Sequence, residues 1–188
     1  IFIVFVALLI TFGCRKNKTA STTVPLPGGN PPPGDTVVVI PPAATYSQKP
    51  KNISIDNNIN GFYEALPVSY DSSNEKYPLL VFLHGGGERG TGESQLPLVL
   101  KNAVPKLIDE KKFPESFTVD GKTFSFIVIS PQFKEWPEPN DVKSVIDYAR
   151  ENYRVDSQRI YLVGLSMGGG AAWRTAAYYG KELAAIVP

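Results

Sequence analysis

Residues 164–168 read GLSMG, which matches the pattern G-x-S-x-G with Ser166 at its centre. An apolar run precedes this segment and a helical pattern starts at Met167, so the serine is predicted to lie in a tight turn between a strand and a helix. Such a turn requires glycine at positions 164 and 168, because a side chain at either position would collide with the neighbouring backbone. Such a turn would hold the Ser166 hydroxyl at the positive end of a helix as a nucleophile for acyl transfer. The alternative is a glycine-rich connection with an incidental serine.

A second glycine-rich segment begins at His84 and continues with Gly85, Gly86 and Gly87, directly after another apolar run. The backbone N–H groups of Gly85 or Gly86 could donate to a substrate oxygen that becomes negatively charged, and the N–H of Met167 could be the second donor. Glycine suits this loop because a side chain would block the approach of that oxygen. Alone, the segment could be a flexible loop. Its place after a strand, and before the serine in the chain, favours an oxyanion hole.

The composition excludes several other kinds of function. Lys+Arg 19 against Asp+Glu 18 gives the 188-residue chain a formal net charge of +1, so no charge excess indicates nucleic acid or an acidic partner. One cysteine excludes an internal disulfide and a cysteine-based zinc site. The sequence has no P-loop, no dinucleotide fingerprint and no metal-ligand cluster, so it implies no metal or organic cofactor. Its one histidine, His84, limits any mechanism that needs a histidine base.

The elements that must position these residues alternate between strand and helix patterns. Buried strands are predicted at 79–83, 124–129 and 160–163, with shorter ones at 52–55, 61–66 and 184–187. Helices are predicted at 96–111, kinked or split at Pro105, from an Asn140-Asp141 cap to about Tyr153, and over 167–179. The strand at 124–129 is expected to end at Ser130-Pro131. This alternation predicts an α/β fold with a doubly wound, mostly parallel sheet and helices on both faces.

The first 14 residues have the character of a processing signal. The apolar run 1–12 would form roughly 18 Å of helix, short of a ~30 Å hydrocarbon core, and suits the core of a secretory signal peptide whose start is truncated. Gly13 and Cys14 end this run and basic residues follow, which resembles a bacterial lipoprotein processing site with Cys14 lipidated. We therefore expect a cell-envelope lipoprotein exposed to the periplasm or the cell surface. A secreted protein with an accidental free cysteine is the alternative.

Residues 15–45 are rich in proline and glycine and poor in large apolar residues, which predicts an extended linker. The short apolar run 37–40 within it could pair as an edge strand, although prolines flank it. From residue 46 the composition becomes that of a globular domain. The predicted organisation is therefore a signal segment at 1–14, a linker at 15–45 and a catalytic domain at 46–188.

Two segments carry a resemblance to a known family. Residues 83–90, LHGGGERG, and residues 159–169, RIYLVGLSMGG, are similar to the α/β-hydrolase superfamily. Within it they look like the secreted branch of predicted peptidases and esterases related to prolyl-oligopeptidases, feruloyl esterases and polyhydroxybutyrate depolymerases. Residues 130–132, SPQ, and 155–159, VDSQR, also resemble that branch. The resemblance covers about residues 50–188.

The resemblance implies that Ser166 is the nucleophile of a serine hydrolase and that Met167 with Gly85 or Gly86 forms the oxyanion hole. It also implies that an acid and a histidine base follow the serine in the chain. After Ser166 this sequence has no aspartate and no histidine, and Glu182, its only carboxylate there, is expected to be a solvated surface residue. His84 is expected to organise the oxyanion loop rather than take the serine proton. We therefore expect the sequence to be the front part of a larger domain.

Three further residues have two interpretations each. Glu88 and Arg89 could line the mouth of the site or pair with each other in solvent. Trp136 could cover the pocket, although packing beneath a loop is the expectation.

The substrate expected from the resemblance is a carboxylic ester, such as an acylated polysaccharide or a small ester. A peptide substrate of prolyl-oligopeptidase type is the first alternative. A non-catalytic hydrolase-fold lipoprotein that binds a glycan or peptide is the second. No nucleic-acid partner is expected.

Overall fold

A computed structural model describes residues 46–188, and the predictions for residues 1–14, for Cys14, for the linker at 15–45 and for a strand at 37–40 lie outside it. The strands are β1 Gln48–Lys51, β2 Ile59–Ala65, β3 Tyr77–Leu83, β4 Phe117–Val119, β5 Lys122–Phe124, β6 Ile127–Phe133, β7 Val155–Gly164 and β8 Ala185–Val187. The α-helices are α1 Ala103–Asp109, α2 Pro139–Asn152 and α3 Met167–Tyr179. Four 3-10 helices span Tyr70–Ser72, Gly86–Glu88, Glu93–Lys101 and Gly180–Glu182.

Six of the strands form one mixed sheet in the order β1-β2-β6-β3-β7-β8. The pairs β6–β3, β3–β7 and β7–β8 are parallel, whereas β2 runs antiparallel to both β1 and β6. Strands β4 and β5 form a separate antiparallel hairpin. The sheet is therefore mostly parallel, which confirms the predicted fold class, and its antiparallel pairs lie on one side.

Strand β3 separates two apolar cores because its side chains alternate between the faces of the sheet. Leu79, Val81 and Leu83 pack in one core with the buried faces of α2 and α3. Leu80 and Phe82 pack on the opposite face with Ile108 of α1. Every residue of β3 and β6 is buried, as expected of strands that helices cover on both sides. The doubly wound arrangement therefore follows from the continuous apolar runs in the sequence.

Three strand predictions are wrong in their bounds, and one of them is β7, which begins at Val155 rather than at residue 160. The first strand is β1 rather than 52–55, because residues 52–58 turn the chain back toward β2 through the bridge between Asp56 and Ile59. Strand β6 continues through Ser130-Pro131 to Phe133. Its register with β3 reaches only Ile129, so Pro131 lies where β6 pairs with β2 alone and a missing N–H is tolerated.

The helix predicted at 96–111 is split as predicted, but the break lies at Asn102 rather than at Pro105. A 3-10 helix containing Pro97 ends at Lys101, and α1 then begins with Pro105 in its first turn, where no N–H is needed. Helix α2 has its N-cap at Glu138, not at Asn140-Asp141. Glu138 and Asp141 cap each other's backbone reciprocally, and Pro139 occupies the first helical position. Within residues 46–188, no helix is both long enough and apolar enough to cross a bilayer.

Candidate active site

Ser166 lies in the two-residue turn between β7, which ends at Gly164, and α3, which begins at Met167. Its backbone has φ 53° and ψ −111°, a conformation that residues with a side chain rarely adopt. The Leu165 N–H donates to the Leu83 carbonyl at 3.0 Å and fixes the turn against the end of β3. The strand–turn–helix setting predicted for the serine is therefore present, and the turn places the serine on the surface.

The flanking glycines are required by close backbone contacts. A Cβ on Gly164 would overlap the carbonyl of Gly168. A Cβ on Gly168 would overlap the carbonyl oxygen of Leu83 at the end of β3. Because backbone atoms cannot move aside as a flexible side chain can, the turn accepts only glycine at these two positions.

The loop that begins at His84 lies directly beside the serine. A Cβ built on Gly85 would stand 3.7 Å from the Cβ of Ser166 and 3.5 Å from the Leu165 carbonyl oxygen. Gly86 and Gly87 are exposed, and a Cβ on either would meet nothing within 4 Å. The two glycine-rich segments, 80 residues apart in the chain, thus meet at the carboxyl ends of the neighbouring strands β3 and β7.

His84 is fully buried, and both of its ring nitrogens are engaged. The Phe133 N–H donates to Nε2 at 2.9 Å, so Nδ1 carries the proton and donates to the Gly85 carbonyl at 2.7 Å. Burial lowers the pKa of His84, which favours this neutral state. With neither nitrogen free to accept the serine proton, the geometry gives His84 a positioning role in the loop.

The hydrogen bonds of His84 also determine which way the loop's amides point. The Gly85 carbonyl accepts from His84 Nδ1 and from the Glu88 N–H at 3.1 Å. In a planar trans peptide the N–H points opposite to the carbonyl, so fixing the Gly85 carbonyl also fixes the Gly86 N–H. Among residues 46–188, no acceptor contacts the N–H groups of Gly86 or Met167. Of the two loop donors considered, the Gly86 N–H is the one whose direction these hydrogen bonds fix.

A buried glutamine that sequence reasoning missed joins the loop to its surroundings. Gln132 is fully buried at the carboxyl end of β6. Its Nε2 donates to the carbonyls of Glu88 at 2.9 Å and Gln95 at 2.7 Å, and its Oε1 accepts from the Gly92 N–H at 2.9 Å. The only signal in the sequence was the SPQ segment, whose glutamine lies in a strand that was predicted to end before it.

Glu88 and Arg89 do not pair with each other. Glu88 is buried, and its Oε1 accepts from Asn102 Nδ2 at 2.6 Å, while its Oε2 has no partner within residues 46–188. Arg89 instead reaches out of the loop, with Nη1 at 3.6 Å from Glu135 Oε2. Of the alternatives considered, Glu88 supports the loop from inside and Arg89 lies at its outer rim.

The expectation that Trp136 packs beneath a loop is wrong, since the side chain is 54% exposed. Its Cζ2 lies 3.5 Å from the position of a Cβ on Gly170, in the first turn of α3. The loop after β6 is short and held at both ends, so the indole stays on the surface. Trp136 therefore stands near the helix that Ser166 begins.

Glu182 lies away from the serine, in a 3-10 helix after α3, and is half-buried rather than solvated. Its Oε2 pairs with Arg150 Nη1 at 2.5 Å and with Lys143 Nζ at 3.6 Å. This ion-pair network ties the end of α3 to α2. In residues 46–188 no group of three or more His, Cys, Asp or Glu side chains could hold a metal ion.

Comparison with known proteins identifies the fold. The chain is similar to an S-formylglutathione hydrolase from Staphylococcus aureus, with 16% identity and a TM-score of 0.52 over 75% of this chain and 56% of that one. It is similar to a serine-to-alanine mutant of the feruloyl esterase module from Clostridium thermocellum complexed with sinapinate, with 18% identity and a TM-score of 0.50 over 75% of this chain and 52% of that one. A dipeptidyl aminopeptidase IV candidate from Bacteroides ovatus matches at 16% identity and a TM-score of 0.52 over 76% of this chain and 21% of that one.

No protein-family model and no curated protein matches the chain. The chain spans between 21% and 59% of the lengths of the solved structures it matches. At these identities the similarity establishes the architecture: residues 46–188 have the α/β-hydrolase fold, as the two glycine-rich segments predicted.

Proposed function

We propose that this chain supplies the nucleophile and the oxyanion hole of a serine hydrolase that cleaves carboxylic esters. The observation that carries the proposal is the strained turn at Ser166, φ 53°, beside a loop whose amides are fixed in direction. The backbone at this surface serine is strained, and the flanking glycines leave no room for a Cβ. Packing alone does not require such a turn. In the α/β-hydrolase fold this turn carries the nucleophile.

In the proposed reaction, the Ser166 oxygen forms a bond to the ester carbonyl carbon while its proton passes to a general base. The carbonyl oxygen becomes negatively charged and accepts hydrogen bonds from the N–H groups of Met167 and Gly86. The tetrahedral intermediate collapses and the C–O bond to the alcohol breaks, which leaves an acyl-enzyme. Water then releases the acid. We propose that the base is a histidine outside these 188 residues, because both nitrogens of His84 are engaged.

The substrate class is proposed to be an ester, such as an acylated polysaccharide, with a peptide as the alternative. The esterase and S-formylglutathione hydrolase among the similar structures support the ester, and the dipeptidyl aminopeptidase candidate supports the peptide. The oxyanion hole would serve both substrates equally. Gly86 and Gly87 leave the mouth of the site open to either substrate, and we place the ester first because a feruloyl esterase module is among the similar structures.

Labelling with a fluorophosphonate probe tests the nucleophile directly. In the full-length protein we expect covalent labelling, and we expect Ser166→Ala to abolish it. Ser157→Ala, which changes an exposed serine on the preceding strand β7, should label like the wild type. Labelling of Ser166→Ala at the wild-type rate would show that Ser166 is not the nucleophile.

A non-catalytic binding module is the second candidate, because His84 is the only histidine of the sequence and serves the loop. The two candidates differ in the fluorophosphonate experiment. A binding module would bind a glycan or peptide but would not label at Ser166, since no base would activate the hydroxyl. Labelling of the full-length protein therefore excludes it.

The location of the protein is a separate proposal that rests on residues 1–18. We propose that Cys14 becomes the lipidated first residue of the processed protein and anchors it in the bacterial cell envelope. The test is the detergent-phase partition of the full-length protein expressed in bacteria. Cys14→Ser should move the protein from the detergent phase to the aqueous phase, and an unchanged distribution would contradict the anchor.

A further inference from the structure

The loop that carries Trp136 is fixed at both of its ends. At the near end, the N–H groups of Lys134 and Glu135 both donate to Asn58 Oδ1, at 3.0 and 2.8 Å. At the far end, Glu138 forms a bidentate ion pair with Arg174 of α3, in which Arg174 Nη1 donates to Glu138 Oε1 at 3.0 Å and Arg174 Nη2 donates to Glu138 Oε2. A single exposed apolar side chain is ordinary on a protein surface. An exposed indole on a loop braced at both ends is a preorganised surface for binding.

This loop stands beside the proposed nucleophile. The Gly170 N–H donates to the Ser166 carbonyl at 3.0 Å, so Gly170 lies one turn along α3 on the same face as the serine. The indole of Trp136 lies beside Gly170, since its Cζ2 is at an ordinary van der Waals distance of 3.5 Å from where a Cβ on that residue would stand. On its other side, Glu135 contacts Arg89 at 3.6 Å, and Arg89 belongs to the oxyanion loop. Trp136 and its neighbours thus form a rim between the oxyanion loop and α3.

The chemistry of this rim combines one flat apolar face with exposed charged groups. The Glu135 side chain is 82% exposed, and its long contact to Arg89 leaves carboxylate oxygens free to accept further hydrogen bonds. A sugar ring has an apolar C–H face that can lie on the negative face of an indole, and hydroxyl groups that donate to a carboxylate. A purely aromatic group would use the indole but would leave the charged groups without a role. The combination therefore favours a saccharide.

We propose that Trp136, with Glu135 and Arg89, binds a sugar ring of the substrate, which is the alcohol part of the ester that Ser166 cleaves. This inference rests on the proposed ester hydrolysis and names the class of its leaving group. Binding energy from a part of the substrate that does not react positions the ester carbonyl at the nucleophile. Trp136 is a specificity-determining residue in this arrangement.

The test compares two esters of one acyl group, an ethyl ester and an ester of methyl β-xyloside, in the full-length protein. The acyl group is the one that the wild type releases fastest from ethyl esters. We expect Trp136→Ala to lower kcat/KM for the sugar ester about tenfold, mainly by raising KM. The kcat/KM for the ethyl ester should stay within about twofold of the wild-type value. Trp136→Phe should retain most of the activity on the sugar ester. Trp173→Ala, the matched change at the other exposed tryptophan, should alter neither rate.

The inference is overturned if Trp136→Ala lowers both rates equally or neither. A separate binding measurement covers the case in which no ester is cleaved, so that failure of the proposed hydrolysis is distinguishable. In the Ser166→Ala protein, methyl β-xyloside should change the tryptophan fluorescence in a saturable way, and Trp136→Ala should remove this change. A change that persists in Trp136→Ala, or none in either protein, overturns the proposed sugar contact.

Discussion

His84 holds the oxyanion loop through two hydrogen bonds that only its neutral form can make together. The unprotonated Nε2 accepts from the Phe133 N–H, and Nδ1–H donates to the Gly85 carbonyl. A proton on Nε2 would remove the first bond and leave a buried N–H facing another N–H. The residue that looked from the sequence like a catalytic candidate is thus part of the support for the amide of Gly86.

The stability of the protein should therefore depend on the pH through His84. Because burial lowers the pKa of His84, the unfolded chain binds a proton at a pH where the folded protein does not. The stability that neutral His84 contributes is fully present above its unfolded pKa of about 6.5. It is lost as the pH falls toward the lower pKa of the folded state. We expect the free energy of unfolding, from urea titrations, to fall more steeply between about pH 7.5 and 5.5 in the wild type than in His84→Gln. Equal decreases in the two proteins would contradict this account.

The glycines of the turn provide a second prediction at the level of single residues. Gly168→Ala should lower the free energy of unfolding by roughly 2 kcal/mol or more, because the new Cβ meets the backbone of Leu83. Gly87→Ala is the matched control, since its Cβ meets nothing within 4 Å, and should change stability by no more than about 0.5 kcal/mol. Thermal and urea unfolding of the two variants would measure the difference. Similar losses in both would mean that the contact at Leu83 relaxes.

Among the elements, the end of β6 carries more of the site than its sequence indicated. Gln132 connects the oxyanion loop with the 3-10 helix Glu93–Lys101 through hydrogen bonds to backbone groups. The residues just beyond it carry Trp136. The carboxyl ends of three neighbouring strands, β6, β3 and β7, therefore carry Gln132, the loop with the proposed amide donor and the turn with the proposed nucleophile. This is where a parallel sheet brings its ligand-binding loops together.

Removal of the Gln132 hydrogen bonds should loosen the oxyanion loop. Gln132→Met keeps the approximate volume but removes the three hydrogen bonds and leaves the buried Gly92 N–H without its partner, at about 2 kcal/mol of stability. We expect faster hydrogen exchange and proteolysis across residues 85–95 and a lower kcat for any ester that the protein cleaves. Gln158→Met, on an exposed part of β7, is the control and should leave both unchanged. Unaltered exchange in Gln132→Met would show that the loop is held without the Gln132 hydrogen bonds.

The sequence predicted those elements whose pattern is local and strong. The continuous apolar runs gave β3 and β7, and the GLSMG segment gave the turn and the start of α3 to the residue. It did not predict β1, an edge strand of polar residues that depends on its pairing with β2. It also missed the role of Gln132 and the exposure of Trp136, because both depend on which loops the fold brings next to them. Contacts over long sequence distances leave no local pattern.

For the whole molecule, the described residues contain the proposed nucleophile and amide donors but no free histidine nitrogen. A polypeptide of these 188 residues alone should therefore hydrolyse esters no faster than its Ser166→Ala variant. Serine-dependent turnover by the monomeric polypeptide would contradict the assignment of the base.

Strand β8 pairs with β7 and has no second partner within residues 46–188, and Val187 on it is 59% exposed. We expect that polypeptide to self-associate through this edge, which sedimentation would detect, and Val187→Lys to reduce the association.

The strained backbone at Ser166 has a consequence for the relation between stability and activity. A conformation at φ 53° and ψ −111° is unfavourable by about 1–3 kcal/mol for a residue with a side chain, and glycine adopts it readily. Ser166→Gly should therefore unfold at a higher temperature than the wild type while it loses any chemistry at this position. A measured rise in stability would show that folding does not require a serine here, as expected of a residue that contributes to activity rather than to stability.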